Sequence, residues 1–306
     1  MNNLRHLKYI VEAARHGSIT QASRQLLVSQ PAISAAVRAC EEEFGTRIFI
    51  RTPSRGLALT PTGKTFIKRA RELLEDAEDF HNLFTEAKDG PLAGRIELAC
   101  YASPAPLLVP RVIHAFSENH PQVDIGLHEG NMEQVAAYLK NGIADLALTY
   151  DMFLDNDVEF DAIARITPFA IMSAKNPLAK RERLSLAELA DAPFILLDSP
   201  GYREFFYNYF GIYNLRPNIA YRPSTFELVR GLLTNGAGYS MSLIKIKNRQ
   251  AYDNSRLANV ELADPAPNVN LVLAYLKGYR QSRVVRAFAD ICKARLSEVR
   301  TGVPTP

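Results

Sequence analysis

Cysteine is scarce in this chain. There are three in 306 residues, Cys40, Cys100 and Cys292, odd in number and far apart. That excludes a disulfide framework and fits a reducing compartment. Cys40 and Cys292 fall on apolar positions of expected helices and read as buried thiols. Long apolar runs are missing as well. Nothing approaches the roughly 18 apolar residues of a membrane span, and the opening MNNLRHLKYI lacks the apolar core of a signal peptide. The expected location is therefore the cytoplasm, with no membrane partner. Catalytic signatures are absent too: no Gly-x-Ser-x-Gly elbow, no phosphate loop and no Gly-x-Gly-x-x-Gly. Ser242-Leu243-Ile244-Lys245 matches the short Ser-x-x-Lys pattern without its companion motifs, and four residues carry little information. His6, His16, His81, His114, His120 and His128 show no metal-ligand spacing. Neither an enzyme, a cofactor nor a metal is expected.

What is present is unevenly charged. The whole chain carries only +3, yet residues 1–71 hold 12 Lys and Arg against 4 Glu and no Asp. The rest is net acidic. A basic segment on an otherwise acidic chain points to a module that faces DNA. With 47% hydrophobic residues the chain can bury a core, and its length suits two domains.

Leu4, Leu7, Val11 and Ala14 recur at helical spacing and predict a first helix ending near Gly17. Ser18 and Gln21 form a capping-box pair for a second helix with Ala22 and Leu26 on its inner face. After the turn Leu27-Val28-Ser29, a third helix is capped by Ser29 and has Gln30 and Pro31 in its first turn. Ile33, Val37, Cys40 and Phe44 mark its buried side, and Gly45 its end. Gln30, Ser34 and Arg38 then share the outer face, residue types that read base edges and phosphates in a major groove. Two helices joined by a short turn, the second opening on polar residues, form a helix-turn-helix.

Two short strands, 47–51 and 57–59, flank Thr52-Pro53-Ser54-Arg55-Gly56 as a hairpin wing, with Arg51 and Arg55 placed to touch phosphate or enter a minor groove. Thr60-Pro61 opens a long helix. Along it Phe66, Ala70, Leu73, Ala77, Phe80, Phe84 and Ala87 are spaced alternately by four and three, the seam of a coiled coil. The small module before it offers too little surface for such a stripe, so a second subunit is expected to cover it.

These residues resemble the DNA-binding domain of the LysR-type transcriptional regulators. The match is dense and colinear: Leu4, Leu7, Gly17-Ser18, Ala22, Leu26, Ser29-Gln30-Pro31-Ala32-Ile33-Ser34, Glu41, Gly45, Phe49, Arg51 and Thr60-Pro61-Thr62-Gly63. Ala35 and Ala36 depart from the polar or basic residues usual there, which weakens base readout on that part of the helix. Cys40 replaces a usual leucine.

Pro91-Leu92-Ala93-Gly94 breaks the long helix, and strands and helices then alternate, an α/β pattern with largely parallel sheets. The resemblance implies a two-lobed, periplasmic-binding-protein-like α/β domain over 91–306, one lobe from 92–165 plus 267–300 and the other from 166–266. Residues 1–60 would be the winged helix-turn-helix and 61–90 the linker helix. Ligands of open α/β sheets sit beyond the carboxyl ends of strands. Tyr101, Ser103, Glu129, Tyr150, Ser199, Tyr202, Arg203, Ser224, Thr225 and Phe226 fall there. Their hydroxyls and free helix N–H groups favour an anion, so a small carboxylate effector is expected, with Arg203 as its bidentate partner and Tyr101, Tyr150 and Phe226 stacking on an aromatic part. The implied protein is an effector-sensing regulator, a homodimer or homotetramer on promoter DNA, with RNA polymerase as a further partner. Two alternatives remain open: a ligand-independent DNA-binding regulator, and a solute-binding or catalytic two-lobed domain with a vestigial DNA module.

Overall fold

In a computed structural model the described residues are 4–52, 56–84, 91–152, 154–245, 251, 255–278 and 281–296. The N-terminal module begins with α1 (Leu4–His16), α2 (Ile19–Leu26) and α3 (Gln30–Phe44). The sequence signals set these boundaries. Ser18 Oγ accepts the Gln21 N–H and Ser29 Oγ accepts the Ala32 N–H, each satisfying a free first-turn donor. Only that half of the expected Ser18/Gln21 box forms. Gly45 ends α3 in the left-handed region, φ 62°.

The antiparallel wing, β1 (Phe49–Thr52) and β2 (Gly56–Leu59), leads into α4 (Pro61–Phe84). Two contacts fix the wing to its base. The Glu41 carboxylate accepts the Ile48 and Phe49 N–H groups at 2.7 and 3.1 Å, and Thr60 Oγ1 donates to Arg47 O at 2.6 Å while accepting the Gly63 N–H at 2.8 Å. Gly63 is needed because a Cβ there would stand 2.1 Å from Ile48 O. Ile10, Ala22, Ile33, Ala36, Cys40 and Ile48 form the module's core. Burial of each large aliphatic side chain is worth about 1.5–3 kcal/mol.

The second module opens with β3 (Ala93–Tyr101), α5 (Ala105–Asn119), β4 (Gln122–Gly130), α6 (Met132–Lys140), β5 (Leu146–Tyr150) and β6 (Val158–Ile166). The chain then crosses to a second sheet through β7 (Phe169–Ser173), β8 (Arg183–Leu184), α7 (Leu186–Ala190), β9 (Pro193–Ile195), α8 (Tyr202–Ile212), β10 (Asn218–Tyr221), α9 (Phe226–Thr234), β11 (Tyr239–Ser242) and β12 (Leu257–Leu262). It returns with β13 (Val269–Leu276) and α10 (Arg283–Leu296). The strand orders are β4-β3-β5-β13-β6 and β10-β9-β11-β7-β12-β8. β3 runs parallel to β4 and β5, but β13 lies antiparallel to β5 and β6, and β7 antiparallel to β11 and β12. The sheets are therefore mixed rather than largely parallel, because each lobe is joined to the other by strands that enter from the opposite end. One contiguous apolar core runs through both. Among the described residues no helix is long and apolar enough to cross a membrane.

Candidate DNA interface and ligand cleft

On α3, Gln30 and Arg38 are exposed and Ser34 is half-buried on the same side. The Gln30 side-chain oxygen accepts the Thr20 hydroxyl of α2 at 3.2 Å, which orients its amide. Ser29 and Pro31 build the helix start. Ala36 corrects the sequence reading: at 1% exposure it belongs to the core and takes no part in base readout, whereas Ala35 is exposed. Phe44 is corrected in the other sense. It is exposed and meets the Phe66 ring edge-on at 5.7 Å. Arg51 lies on β1, and Arg55 lies outside the described residues.

The expected seam on α4 divides. Phe66 and Ala70 pack into the module's own core, together with Ile67 and Leu74. Leu73 and Phe80 are 50% and 64% exposed, and Ala77 is half-buried. Phe84 ends the helix, and Ala87 is outside the described residues. The stripe is shared because a 24-residue helix has its first turns against α1 and the wing.

Between the two sheets lies a cavity of about 780 Å³, within the range of small-molecule sites. Its walls come from the carboxyl ends of strands: Tyr101, Ala102 and Ser103 after β3, Glu129 and Gly130 of β4, Leu197, Asp198 and Ser199 after β9, and Ser224, Thr225 and Phe226 at the head of α9. Thr225 Oγ1 caps α9 by accepting the Leu228 N–H. The Ser103 and Ser224 hydroxyls cap nothing, since α5 starts without a side-chain cap.

Three expected residues sit elsewhere. Tyr150 is fully buried behind Tyr101, their rings 5.7 Å apart and edge-on. Tyr202 is buried with its hydroxyl donating to Met241 O at 2.7 Å. Arg203 is outside the cavity wall: it is held by Asp198 and Glu204 at the start of α8. The cavity's own guanidinium is Arg230, which the sequence reading missed. It is 7% exposed, one turn beyond Phe226 on α9, with Glu227 at 3.4 Å. An i, i+4 relation puts Phe226 and Arg230 on one helix face, and that spacing was the available signal.

Burial pushes the Tyr101 hydroxyl up to about 12 and raises Tyr150 and Tyr202 further, so all three stay neutral donors. The Tyr101 hydroxyl looks toward Ser199 without completing a hydrogen bond, and the Tyr150 hydroxyl has no protein partner among the described residues. All three cysteines are buried; burial raises Cys100 to about 11 and Cys292 beyond that.

A second charged site joins the modules. Glu97 of β3, 4% exposed, accepts Arg15 of α1 at 3.1 Å and Arg95 at 2.7 Å, and its other oxygen meets His128 Nε2 at 2.9 Å. Arg15 also donates to Glu12 at 2.6 Å. Arg71 of α4 approaches Asp145 at 3.9 Å. Burial alone would raise the Glu97 carboxyl, but the hydrogen bonds from His128 and Arg95 and the charges of Arg95 and Arg15 hold it at about 2. A Cβ at Gly126 would lie 1.8 Å from Glu97 Oε2, so glycine makes room for the cluster.

The LysR substrate-binding domain model matches residues 89–297, and the bacterial lysR-family regulatory helix-turn-helix model matches residues 4–64. The chain is 28% identical over 290 residues to the uncharacterized HTH-type transcriptional regulator YnfL of Escherichia coli K12, covering 93% of this chain and 96% of that protein. It is 30% identical over 243 residues to the HTH-type transcriptional regulator CysB of Haemophilus influenzae, covering 77% and 73%. Among solved structures, HinK, a LysR family transcriptional regulator from Pseudomonas aeruginosa, shares 33% identity at TM-score 0.63, covering 97% of this chain and 99% of that one. Full-length OxyR from Pseudomonas aeruginosa shares the fold at TM-score 0.78 and 20% identity over 99% and 100%. With both modules matched, in this order and over nearly the whole length, the chain belongs to the LysR family of DNA-binding transcriptional regulators.

Proposed function

We propose that this regulator responds to a small carboxylate effector taken into the cleft between its lobes. The observation that carries the reading is Arg230, a guanidinium almost wholly buried yet facing the cavity. Glu227 pairs with it at 3.4 Å, and a planar guanidinium on the cavity wall suits bidentate recognition of a carboxylate. The free hydroxyls of Ser103 and Ser224 and the neutral Tyr101 supply further donors, and Phe226 offers a ring face. In this reading residues 1–60 bind promoter DNA through Ser29, Gln30, Pro31, Ser34, Arg38, Arg51 and Arg55. Residues 61–90 pair two subunits through the exposed Leu73 and Phe80, and 91–306 sense the effector. A dimer, or a dimer of dimers, sets two winged modules on two half-sites, and RNA polymerase is the protein it meets at the promoter. The work takes place in the cytoplasm.

The test is a thermal-shift screen of the intact protein against small carboxylates, repeated on Arg230→Met. A ligand that binds the folded state raises Tm with dose. The expected result is a hit in the wild type that the variant loses. A hit of equal strength in the variant removes Arg230 from the site. Light scattering checks the assembly, and a strict monomer at micromolar concentration refutes it.

A further inference from the structure

We infer that the effector carries an ammonium group beside its carboxylate, and that Glu129 is the residue that reads it. The inference rests on the cleft reading above. Four charged side chains face the cavity: Glu129, Asp198, Glu227 and Arg230. Two of the three acids are answered. Asp198 is ion-paired with Arg203, and Glu227 lies 3.4 Å from Arg230. Glu129 stands apart. Its side chain, exposed at the cavity mouth, forms neither an ion pair nor a hydrogen bond among the described residues; it lies at the end of β4 on the cavity wall, paired in register with Cys100.

The balance of charge then selects the ligand. With the pairs neutralised, the cavity keeps one uncompensated carboxylate. A ligand that is only an anion adds a second negative charge beside this carboxylate, and like charges at close range repel. A zwitterion adds no net charge, and its cationic end forms a charge-assisted hydrogen bond to Glu129. Among the described residues no cation pairs with Glu129, and the neighbouring Cys100 thiol stays neutral. A metal ion is a poorer answer, because a hard divalent cation takes six or more oxygen ligands and no group of three His, Cys, Asp or Glu converges among the described residues. The other end of the ligand is provided for independently. Tyr101, 1% exposed on the cavity wall, has a hydroxyl without a hydrogen-bond partner among the described residues. A neutral phenol is a donor that suits a carboxylate.

The experiment uses the full-length protein and matched probes: α-amino acids, the same acids without the amino group, and the same amines without the carboxylate. Isothermal titration follows the thermal-shift hits. The expected best probe is an amino acid that binds about ten-fold tighter than its desamino counterpart, and Glu129→Gln brings that ratio to about one while Arg230→Met weakens both. A desamino acid that binds the wild type as tightly as its amino counterpart overturns the inference, as does a ratio unchanged by Glu129→Gln. If binding falls with Arg230→Met yet shows no ammonium preference, the cleft stands and the zwitterion does not. Binding indifferent to both variants, or silence across the panel, overturns the cleft assignment and this inference with it.

Discussion

Replacing Glu97 by glutamine keeps the shape of the side chain and removes its charge, which makes it a clean probe of the cluster between the modules. The carboxyl is held from an ordinary 4.5 down to about 2. At about 1.4 kcal/mol per factor of ten in affinity for the proton, the charged form stabilises the folded state by about 3 kcal/mol. The sign follows from the lowered value. The contribution is fully present above the unfolded carboxyl's 4.5 and is lost as pH falls through about 2. Urea unfolding of wild type and Glu97→Gln at pH 7 should therefore differ by about 3 kcal/mol, and the gap should close progressively below pH 4.5. Part of the effect belongs to the junction itself, because Arg15 comes from α1 whereas Arg95 and His128 come from the same sheet as Glu97. An Arg15→Ala/Glu97→Gln double-mutant cycle isolates that share, with a coupling of about 1–3 kcal/mol expected for charges in contact. A loss at pH 7 below about 1 kcal/mol, or one of equal size at pH 3 and pH 7, would refute the reasoning, since either shows that the charge contributes nothing in the folded state.

Arg38→Ala should weaken binding to any DNA duplex and lower the slope of log affinity against log salt by about 1; an unchanged slope in a salt titration denies it a phosphate contact. Gly63→Ala should cost about 1–3 kcal/mol and loosen DNA binding, because the new Cβ meets the Ile48 carbonyl at the base of the wing; unfolding that matches wild type would show that the backbone yields freely there. Leu27→Gly should stabilise the protein by about 1 kcal/mol, since Leu27 is fully exposed at φ 54° in the turn between α2 and α3 and packs against nothing that glycine would forfeit. A lower denaturation midpoint for that variant contradicts the assignment of strain.

Local chemistry made the N-terminal module readable from its residues. Caps, a proline in a first turn, a glycine after a helix and a polar outer face each act within a few positions, so Ser18, Ser29, Gly45 and Thr60 announce elements by themselves. The alternation of strands and helices was legible for the same reason. Individual strands are harder to read where the period is not clean. β6 mixes buried and exposed positions irregularly and pairs with β13 across a bulge, and β8 has two residues. Misassigned residues were errors of helix phase. Ala36 and Phe44 exchange the expected sides of α3, and Arg203 points to its neighbours Asp198 and Glu204 rather than into the cleft. Glu97 and Arg15 were beyond reach, being 82 positions apart, because no local rule brings a strand of one module to a helix of another.

The same strand serves both sites. Along β3 alternate residues share a face, so Glu97 and Tyr101 lie on one side of the sheet, about 13 Å apart at the usual rise of a strand. Between them the backbone is bonded on both edges, to β4 along its full length and to β5 from Leu98 to Cys100. Such a strand shifts as a body rather than bending. A ligand changes the placement of a module only through contacts that differ between two arrangements. The cavity meets β3 at Tyr101, and the DNA-binding module meets it at Glu97. A displacement of β3 at the cleft would therefore reach the Glu97–Arg15 contact, where a charge buried to 4% exposure tolerates little movement before its hydrogen bonds fail.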